Sequence, residues 1–409
     1  MKNGIIMLIL ALLLLAGCAA QDMPDATEEQ IQYDWMAGES PVPVQRTGIA
    51  SQGIYSVSNG FECTEDGVYF MLDTYQGYYL FYGDHGSDTI IKLCGRPDCG
   101  HSDEECNAFF DRGCNICYYD GYLYTVQRMK SSFGDYEVIR MNPDGSDQVS
   151  VVDTRGVSQE YSGSTFHMLW NGMFTIALTR VMEDGSTRAD SYYYRLDGSM
   201  DSLEPSTLGM PYDNDGENFL TFSTSEDGTS GYAVWEPKTQ EVKFLTEDFG
   251  IGYYGVEAAY YILDGVIYRH VYKTDQEEAL ADTGLDGYKA LYCYPDCLVV
   301  SDSLSWDDYM AGQTLDTINL YFYNWNFDFL GQVELDYPRQ DNYRNVICGE
   351  TPERIILTDS SDLYPRYYVE KSDLGTGHIA IHEYNIPDLD ADLQSLAEEY
   401  EDQEWLENG

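Results

Sequence analysis

Short runs of Tyr, Val, Ile and Phe alternate with polar turn residues along most of the chain after about residue 46. Many turns are Asp-Gly or Asn-Gly, which are typical of tight hairpins between antiparallel strands. A unit of strand, tight turn and strand recurs seven times. Its turn positions are Gly67, Gly121, Gly172, Gly216, Gly265, Cys297 and Glu353. This pattern predicts an all-β fold.

The spacing of the turns predicts the kind of all-β fold. Five of the six intervals are 44 to 56 residues long, close to the roughly 40 to 50 residues of a four-stranded β-propeller blade. The interval from Gly265 to Cys297 is only 32 residues, which is short for a blade. We therefore predict a β-propeller over residues 46–386 with seven blades, or with six blades and an irregular fifth.

Asp144-Gly145 and Asp197-Gly198 supply the turns expected between the outer strands of two blades. Together, the aromatic-Asp-Gly strands and these outer hairpins resemble the propellers of the TolB-like and low-density-lipoprotein-receptor-like groups. The resemblance implies a fold and no activity, because one scaffold hosts many functions.

The N-terminus has the features of an export signal. Lys2 precedes an apolar run from Ile5 to Leu15, which is shorter than the roughly 20 residues that a membrane-spanning helix needs. The run ends in Leu15-Ala16-Gly17-Cys18, which resembles the lipobox of bacterial lipoproteins. That resemblance implies a signal peptide over residues 1–17 and a mature, extracytoplasmic chain held on the cell membrane by lipid on Cys18. An ordinary cleaved secretory signal is the alternative.

Charge narrows the choice of partners. The chain has 71 Asp and Glu against 22 Lys and Arg, a formal net charge of -49, and nucleic-acid recognition requires a basic surface. We therefore predict no nucleic-acid partner.

Residues 18–45 are acidic, contain proline and lack apolar periodicity, which indicates a flexible, lipidated tether. In residues 387–409, leucines at helical spacing predict a short acidic helix or a solvated tail.

Four potential metal ligands lie within thirteen residues, Cys94, Cys99, His101 and Cys106. Three thiolates and one imidazole form a ligand set that structural zinc prefers. With Leu93, Pro97 and Ala108, the string also resembles a signature of uncharacterised bacterial lipoproteins with propeller-like bodies. Disulfides are the alternative, because thiols oxidise outside the cell, and free thiols are a third possibility. Once Cys18 carries lipid, nine of the ten cysteines remain, so they cannot all pair with one another.

The other cysteines show a regular placement. Cys63, Cys117, Cys293 and Cys348 each precede the turn position of their repeat by four or five residues, on the expected first strand of a blade. They fit as small side chains packed near the axis of the ring. A disulfide between Cys63 and Cys348, closing the ring, is the alternative.

The sequence contains no nucleophile elbow, zinc-protease helix or phosphate-binding glycine loop. We therefore predict a non-catalytic binding module, tethered to the membrane, for an unknown protein, peptide or glycan at the cell surface. An enzyme acting on extracellular polysaccharide, a hydrolase or lyase, is the alternative. Convergent carboxyl groups with raised pKa values would favour that enzyme. In a third hypothesis, the Cys/His cluster itself contacts a partner.

Overall fold

The computed structural model describes residue 34, residues 36–40 and most of residues 60–387. The gaps within the last range are 75–76, 97, 102–104, 111–112, 130–134, 159–162, 171, 183–184, 198–210, 215–218, 225–227, 237–238, 240, 248–251, 256, 337–346 and 359–364. The predicted signal peptide, Cys18 and residues 388–409 of the predicted C-terminal helix lie outside the described residues.

The described residues form seven antiparallel sheets in which successive strands pair with one another. The first three sheets contain β1 (Phe61–Cys63), β2 (Gly67–Thr74), β3 (Gly77–Asp84), β4 (Ile90–Lys92) and β5 (Phe109–Phe110); β6 (Gly113–Tyr119), β7 (Tyr122–Arg128), β8 (Tyr136–Met141) and β9 (Val149–Asp153); and β10 (Gly163–Trp170), β11 (Met173–Val181) and β12 (Thr187–Arg195).

The other four sheets each contain four strands. They are β13 (Pro211–Asn214), β14 (Phe219–Thr224), β15 (Ser230–Glu236) and β16 (Glu241–Glu247); β17 (Tyr253–Tyr254), β18 (Ala258–Leu263), β19 (Val266–Val271) and β20 (Gln276–Asp282); β21 (Lys289–Cys293), β22 (Leu298–Asp302), β23 (Thr317–Tyr323) and β24 (Phe329–Asp336); and β25 (Ile347–Glu350), β26 (Arg354–Thr358), β27 (Pro365–Glu370) and β28 (Ile381–Glu383).

Helical structure in the described part of the chain is confined to α1 (Arg155–Ser158), α2 (Trp306–Met310) and a 3₁₀ turn, Lys371–Asp373. None of the described residues forms a helix with the length and apolar character required to cross a membrane.

The sheets close into a ring. Each sheet shares a buried hydrophobic cluster with the next sheet in the chain, and the seventh sheet shares one with the first. In the last of these clusters, Phe61, Phe70 and Phe81 of the first sheet pack with Ile356 and Tyr368 of the seventh. The prediction of an all-β propeller is confirmed, and the sheets are its blades.

In the fifth blade, the outer strand is less buried than the inner strands. In the fifth blade, four of the six residues of β18 are buried, whereas all of β20 is exposed or half-buried. Six blades have four or five strands, and the third has three in the described residues.

The fifth repeat differs from the expected alignment. Asp264-Gly265 joins β18 to β19, which are the second and third strands of their sheet. The short strand Tyr253–Tyr254 is the first strand, and it pairs antiparallel with β18. A two-residue Asp-Gly turn looks the same in sequence whichever pair of strands it joins. The misplaced turn accounts for the short interval before Cys297.

The propeller has two distinct faces. We name the end of the blades that carries the connections between first and second strands and between third and fourth strands the turn face. The opposite end, which carries the connections between second and third strands, is the loop face. Its longest fully described connection, residues 303–316 of the sixth blade, includes α2.

Part of the predicted tether lies against the turn face. The carbonyl of Asp34 accepts a hydrogen bond from Asn324 Nδ2 at 3.0 Å, and the carbonyl of Ala37 accepts one from the Trp325 N–H at 2.9 Å. The hydroxyl of Ser40 donates to the Tyr294 carbonyl at 3.3 Å. These residues of the expected flexible tether are therefore docked on the sixth blade, because that blade's turns offer partners for their backbone groups. We name residues 34 and 36–40 the N-terminal arm.

Candidate metal centre and blade junctions

The cluster predicted from the cysteine spacing lies at the outer rim of the first blade. β4 pairs with residues 81–83 of β3, and β5 pairs with residues 78–79 of the same strand. Between them, the Leu80 N–H donates to the Ala108 carbonyl at 2.8 Å, and the Leu93 N–H donates to the Leu80 carbonyl at 2.7 Å. We name the intervening residues 94–107 the knuckle. Both ends of the knuckle are therefore held next to Leu80 on β3, the third strand of the blade.

The knuckle brings its four predicted ligands together. The Sγ atoms of Cys94, Cys99 and Cys106 and a ring nitrogen of His101 all lie within 4.8 Å of one another. Cys106 is buried and the other three residues are half-buried. The group could hold a metal ion, and its four donors match a tetrahedral site.

Local backbone geometry orients these donors. The Cys99 N–H donates to the Arg96 carbonyl at 3.2 Å, which closes a turn. His101 has φ of 52°, in the left-handed region, and its N–H donates to Cys99 Sγ at 3.4 Å. Its Nδ1 lies 3.6 Å from Cys106 Sγ. A backbone N–H that points at a sulfur stabilises the thiolate form, which is the form that binds metals.

Burial and hydrogen bonding affect two of the thiols in opposite directions. Burial raises the pKa of the Cys106 thiol to about 12. At Cys94 burial also acts upward, but backbone hydrogen bonds at Arg96 and Asn107 outweigh it and lower the pKa of that thiol. The knuckle therefore contains one thiol that deprotonates easily and one that resists deprotonation.

Contacts outside the ligand set hold the knuckle in place. Lys92 Nζ donates to the His101 carbonyl at 3.3 Å and lies 4.1 Å from the centre of the Tyr79 ring. Gln148 Nε2, from the outer hairpin of the second blade, donates to the Asn107 carbonyl at 2.7 Å. A Cβ atom on Gly145 of that hairpin would lie 3.0 Å from the Leu93 carbonyl oxygen. The knuckle thus joins the rims of the first two blades.

Four cysteines outside the knuckle lie where the repeat pattern placed them. Cys63, Cys117, Cys293 and Cys348 are on β1, β6, β21 and β25, the first strands of their blades. β1 and β25 lie next to each other where the ring closes. The side chain of Cys348 lies outside the described side chains, so the Cys63–Cys348 disulfide stays a prediction.

A second cluster, which no sequence motif indicated, joins the sixth and seventh blades. Asp296 and Cys297 lie in the first turn of the sixth blade, Glu350 ends the first strand of the seventh, and Lys371 follows its third strand. We name these four residues the lysine cluster. Lys371 Nζ donates to Asp296 Oδ2 at 2.7 Å and also to Glu350 Oε2. Lys371 is 1% exposed.

Charge and burial together determine the protonation of the lysine cluster. Burial raises the pKa of Glu350 to about 8, although Lys371 partly opposes the shift. The two carboxyl groups raise the pKa of Lys371 despite its burial, so its ammonium stays charged. Burial, with Asp296 nearby, also raises the pKa of the Cys297 thiol. The ammonium of Lys371 thus bonds acidic side chains from two blades, and burial keeps one of them, Glu350, protonated at neutral pH.

A third charged contact closes the ring between the seventh and first blades. The Arg354 guanidinium bonds Glu370 Oε1 at 3.0 Å, the Ser87 carbonyl at 2.6 Å and Asp88 Oδ1 at 3.2 Å. It also lies 4.0 Å from the centre of the Tyr368 ring, whose hydroxyl donates to Asp88 at 2.7 Å. Arg354 therefore ties the turn faces of these two blades together.

Two carboxyl groups on neighbouring first strands have raised pKa values, and each contacts a different part of the ring. Burial raises the pKa of Glu62 on β1, and its partner is the backbone of Tyr118 in the second blade. Glu350 on β25 instead bonds Lys371, which also bonds Asp296 of the sixth blade. The two carboxyl groups therefore act at different blade junctions.

Comparison with known proteins gives no assignment by sequence, because no protein-family model matches the chain and no curated protein matches it. Among solved structures, TolB from Acinetobacter baumannii is similar with a TM-score of 0.32 and 13% identity, over 66% of this chain and 63% of TolB. The chain thus covers less than two thirds of TolB's length.

Two other solved structures cover more of this chain. An oligogalacturonate lyase in complex with manganese has a TM-score of 0.41 and 14% identity, over 84% of this chain and 90% of the lyase. A puromycin-hydrolyzing peptidase of Mycobacterium tuberculosis has a TM-score of 0.44 and 10% identity, over 88% of this chain and 57% of the peptidase. Likenesses at this level assign no activity to the chain.

Proposed function

We propose that the chain is a lipid-anchored, extracytoplasmic propeller that acts as a non-catalytic binding module. In this proposal Cys18 carries the lipid, the knuckle holds a structural zinc ion, and the loop face presents the binding surface to a protein, peptide or glycan. The exposed side chains of Met310, in the 303–316 connection, and Tyr288, in the link from the fifth blade to the sixth, supply apolar contact area.

The ionisable groups near the inner strands support this proposal, because their partners lie in neighbouring blades. Glu62 reaches the second blade, and Glu350 and Asp296 are both engaged by Lys371. A polysaccharide hydrolase or lyase needs carboxyl groups that converge on substrate. Here the groups with raised pKa values contribute to contacts between blades, which supports a rigid scaffold.

The test of the binding role compares binding with turnover. We expect the purified mature protein to show saturable binding to members of a panel of cell-surface glycans and peptides, without releasing new reducing ends from polysaccharides. Glu350→Gln should leave binding unchanged. Polysaccharide cleavage that this substitution abolishes would contradict the proposal and favour the enzyme.

The zinc assignment rests on the closed donor set of the knuckle. Three thiolates and an imidazole fill a tetrahedral zinc site and leave no position for a catalytic water. Elemental analysis under non-reducing and reducing conditions should find about one zinc ion per chain in both. Metal-free protein whose knuckle thiols become reactive to alkylation only after reduction would show disulfides instead.

The anchor is tested through Cys18. The wild-type protein should fractionate with membranes and incorporate labelled fatty acid. Cys18→Ser should release the protein and abolish the label. A wild-type chain that is secreted without lipid would show an ordinary secretory signal.

A further inference from the structure

The N-terminal arm makes specific contacts on one face of the propeller. It bonds both turns at the turn face of the sixth blade, because Trp325 N–H and Asn324 Nδ2 belong to the turn between β23 and β24, and Tyr294 belongs to the turn between β21 and β22. The indole of Trp325 donates to the Tyr294 carbonyl at 2.8 Å and is buried, which joins the two turns beneath the arm. The arm therefore lies on a rigid platform.

Gly38 shows how closely the arm is fitted. Its φ of +94° lies in the region that favours glycine, and a Cβ atom there would lie 2.4 Å from the Trp325 carbonyl carbon. Such a contact with backbone cannot be relieved by rotating a side chain. The arm can dock as it does only with glycine at this position.

The docked arm limits where a lipid on Cys18 can lie. The 16 residue steps from Cys18 to Asp34 reach at most about 55 Å when fully extended. The segment between the lipid and the arm is therefore attached at the turn face. A tether that began at residue 46 instead would be almost twice as long and would leave the propeller free to tumble.

Charge opposes direct contact between the turn face and a membrane. Exposed acids occupy its turns, including Asp66, Asp84, Asp120, Asp144, Asp147 and Asp275. Anionic headgroups repel such a face over a Debye length of about 8 to 10 Å at moderate salt. The residues between the lipid and the arm are long enough to span that gap.

We infer that the arm fixes the orientation of the propeller, with the turn face toward an anionic lipid surface and the loop face directed away from the cell. This inference rests on the proposed lipid anchor. It assigns the arm a positioning role, since without docking the same lipid would hold the propeller near the membrane in any orientation.

Energy transfer to labelled lipid headgroups tests the orientation. A fluorophore is attached through a bioorthogonal amino acid at Lys273, on the turn face of the fifth blade, or at Asp264, on its loop face; both residues are exposed. The lipidated mature protein is placed on vesicles of phosphatidylcholine and phosphatidylglycerol. The two positions lie about 20 Å apart along β19, so transfer should be at least about twofold higher from position 273.

Gly38→Ala is the variant that should remove the orientation. We expect faster hydrogen exchange at the Trp325 amide and equal transfer from the two labels. Gly121→Ala is the matched control, because Gly121 also has a positive φ, +80°, on the turn face, but a Cβ atom added there would have nothing within 4 Å of it. It should keep the protection of Trp325 and the difference in transfer.

The outcomes distinguish a failure of the proposed orientation from a failure of the proposed lipid anchor. Protein that does not float with vesicles contradicts the lipid anchor and, with it, the orientation. Protein that floats but shows equal transfer from both labels contradicts the orientation alone, as does a difference in transfer that Gly38→Ala leaves unchanged.

Discussion

The knuckle and the lysine cluster both lie where two neighbouring blades meet, and both contribute polar contacts between those blades. Each brings acidic or thiol donors within 4.8 Å of one another. The lysine cluster contains its own cation, the ammonium of Lys371. Beside the knuckle, Lys92 donates to the His101 carbonyl, and in our proposal a zinc ion is the cation that the four donors share.

The difference follows from the position of each cluster in the blade. The lysine cluster draws its groups from three separate segments of two blades, and a lysine side chain is long enough to reach across that junction. The knuckle draws all four donors from one short loop, whose ends meet at Leu80. A loop of that length has little apolar surface to bury, so a metal ion is an effective way to order it.

The largest effect should come from removing one ligand of the zinc ion proposed for the knuckle. Cys99→Ser should reduce zinc content to near zero and lower the free energy of unfolding by more than about 4 kcal/mol, because a structural metal contributes its binding energy to folding. Calorimetry and elemental analysis measure the two changes. A chelator should destabilise the wild-type protein and leave Cys99→Ser unaffected.

Cys293→Ala is the control for this prediction, because Cys293 is a buried cysteine of a first strand outside the knuckle. It should cost less stability and leave the zinc content unchanged. Destabilisation of the wild type by a reductant, with no response to chelator, would show that disulfides hold the knuckle.

Removal of the internal cation should have the next largest effect. Lys371→Met leaves the carboxyl groups of Asp296 and Glu350 without their ammonium, which should cost about 3 kcal/mol of unfolding free energy at neutral pH. Chemical denaturation measures it. Lys273→Met, an exposed lysine on the same face, should change stability by less than about 0.5 kcal/mol.

Lys371→Met also tests whether the lysine cluster can bind a metal ion once its own cation is removed. Without the ammonium, Asp296, Cys297 and Glu350 offer three donors within 4.8 Å. Added zinc should then recover part of the stability of Lys371→Met, with no such effect on the wild-type cluster. Absence of any recovery would show that these donors cannot rearrange around an ion.

A smaller effect is expected at the junction of the seventh and first blades. Arg354→Lys keeps the charge but loses the planar group that bonds three partners and stacks on Tyr368. We expect a loss of about 1 to 2 kcal/mol in unfolding free energy. Arg155→Lys, at an ion pair on the surface, should have almost no effect. Equal effects of the two substitutions would contradict the closing role of Arg354.

The last expected effect is a dependence of stability on pH. The pKa of Glu350 is raised from 4.5 to about 8 in the folded protein, so the folded state retains a proton that the unfolded chain releases. The contribution of Glu350 to stability is therefore greatest below pH 4.5 and is lost as the pH rises toward 8. Glu350→Gln, which mimics the protonated group, should match the wild type at low pH and be more stable than the wild type at about pH 9. Parallel pH profiles for the two proteins would contradict the raised pKa.

Much of the fold is readable from local patterns. Asp-Gly and Asn-Gly turns identified the hairpins because a tight turn needs residues that accept positive φ, as at Gly121. The same rule misaligned the fifth repeat, since the turn at Gly265 carries no information about which strands it joins. The short strand Tyr253–Tyr254 gave no periodic signal at all.

The candidate sites also differ in whether they can be predicted from the sequence. The knuckle was visible in the sequence because its four ligands lie within thirteen residues of one another. The partners of Lys371 lie 75 and 21 residues away, and two partners of Arg354 lie more than 260 residues away. No local pattern distinguishes these two cations from the other 20 in the chain.

The sequence by itself determined the strands, most of the turns, the acidic surface and the ligand set of the knuckle, because each depends on residues close together in the chain. The closed ring, the pairing of Lys371 and Arg354 across blade junctions and the docking of the N-terminal arm were decided only by the tertiary structure. These contacts join residues that become neighbours when separate blades pack, and the free energy that selects them comes from burial that no single segment achieves alone.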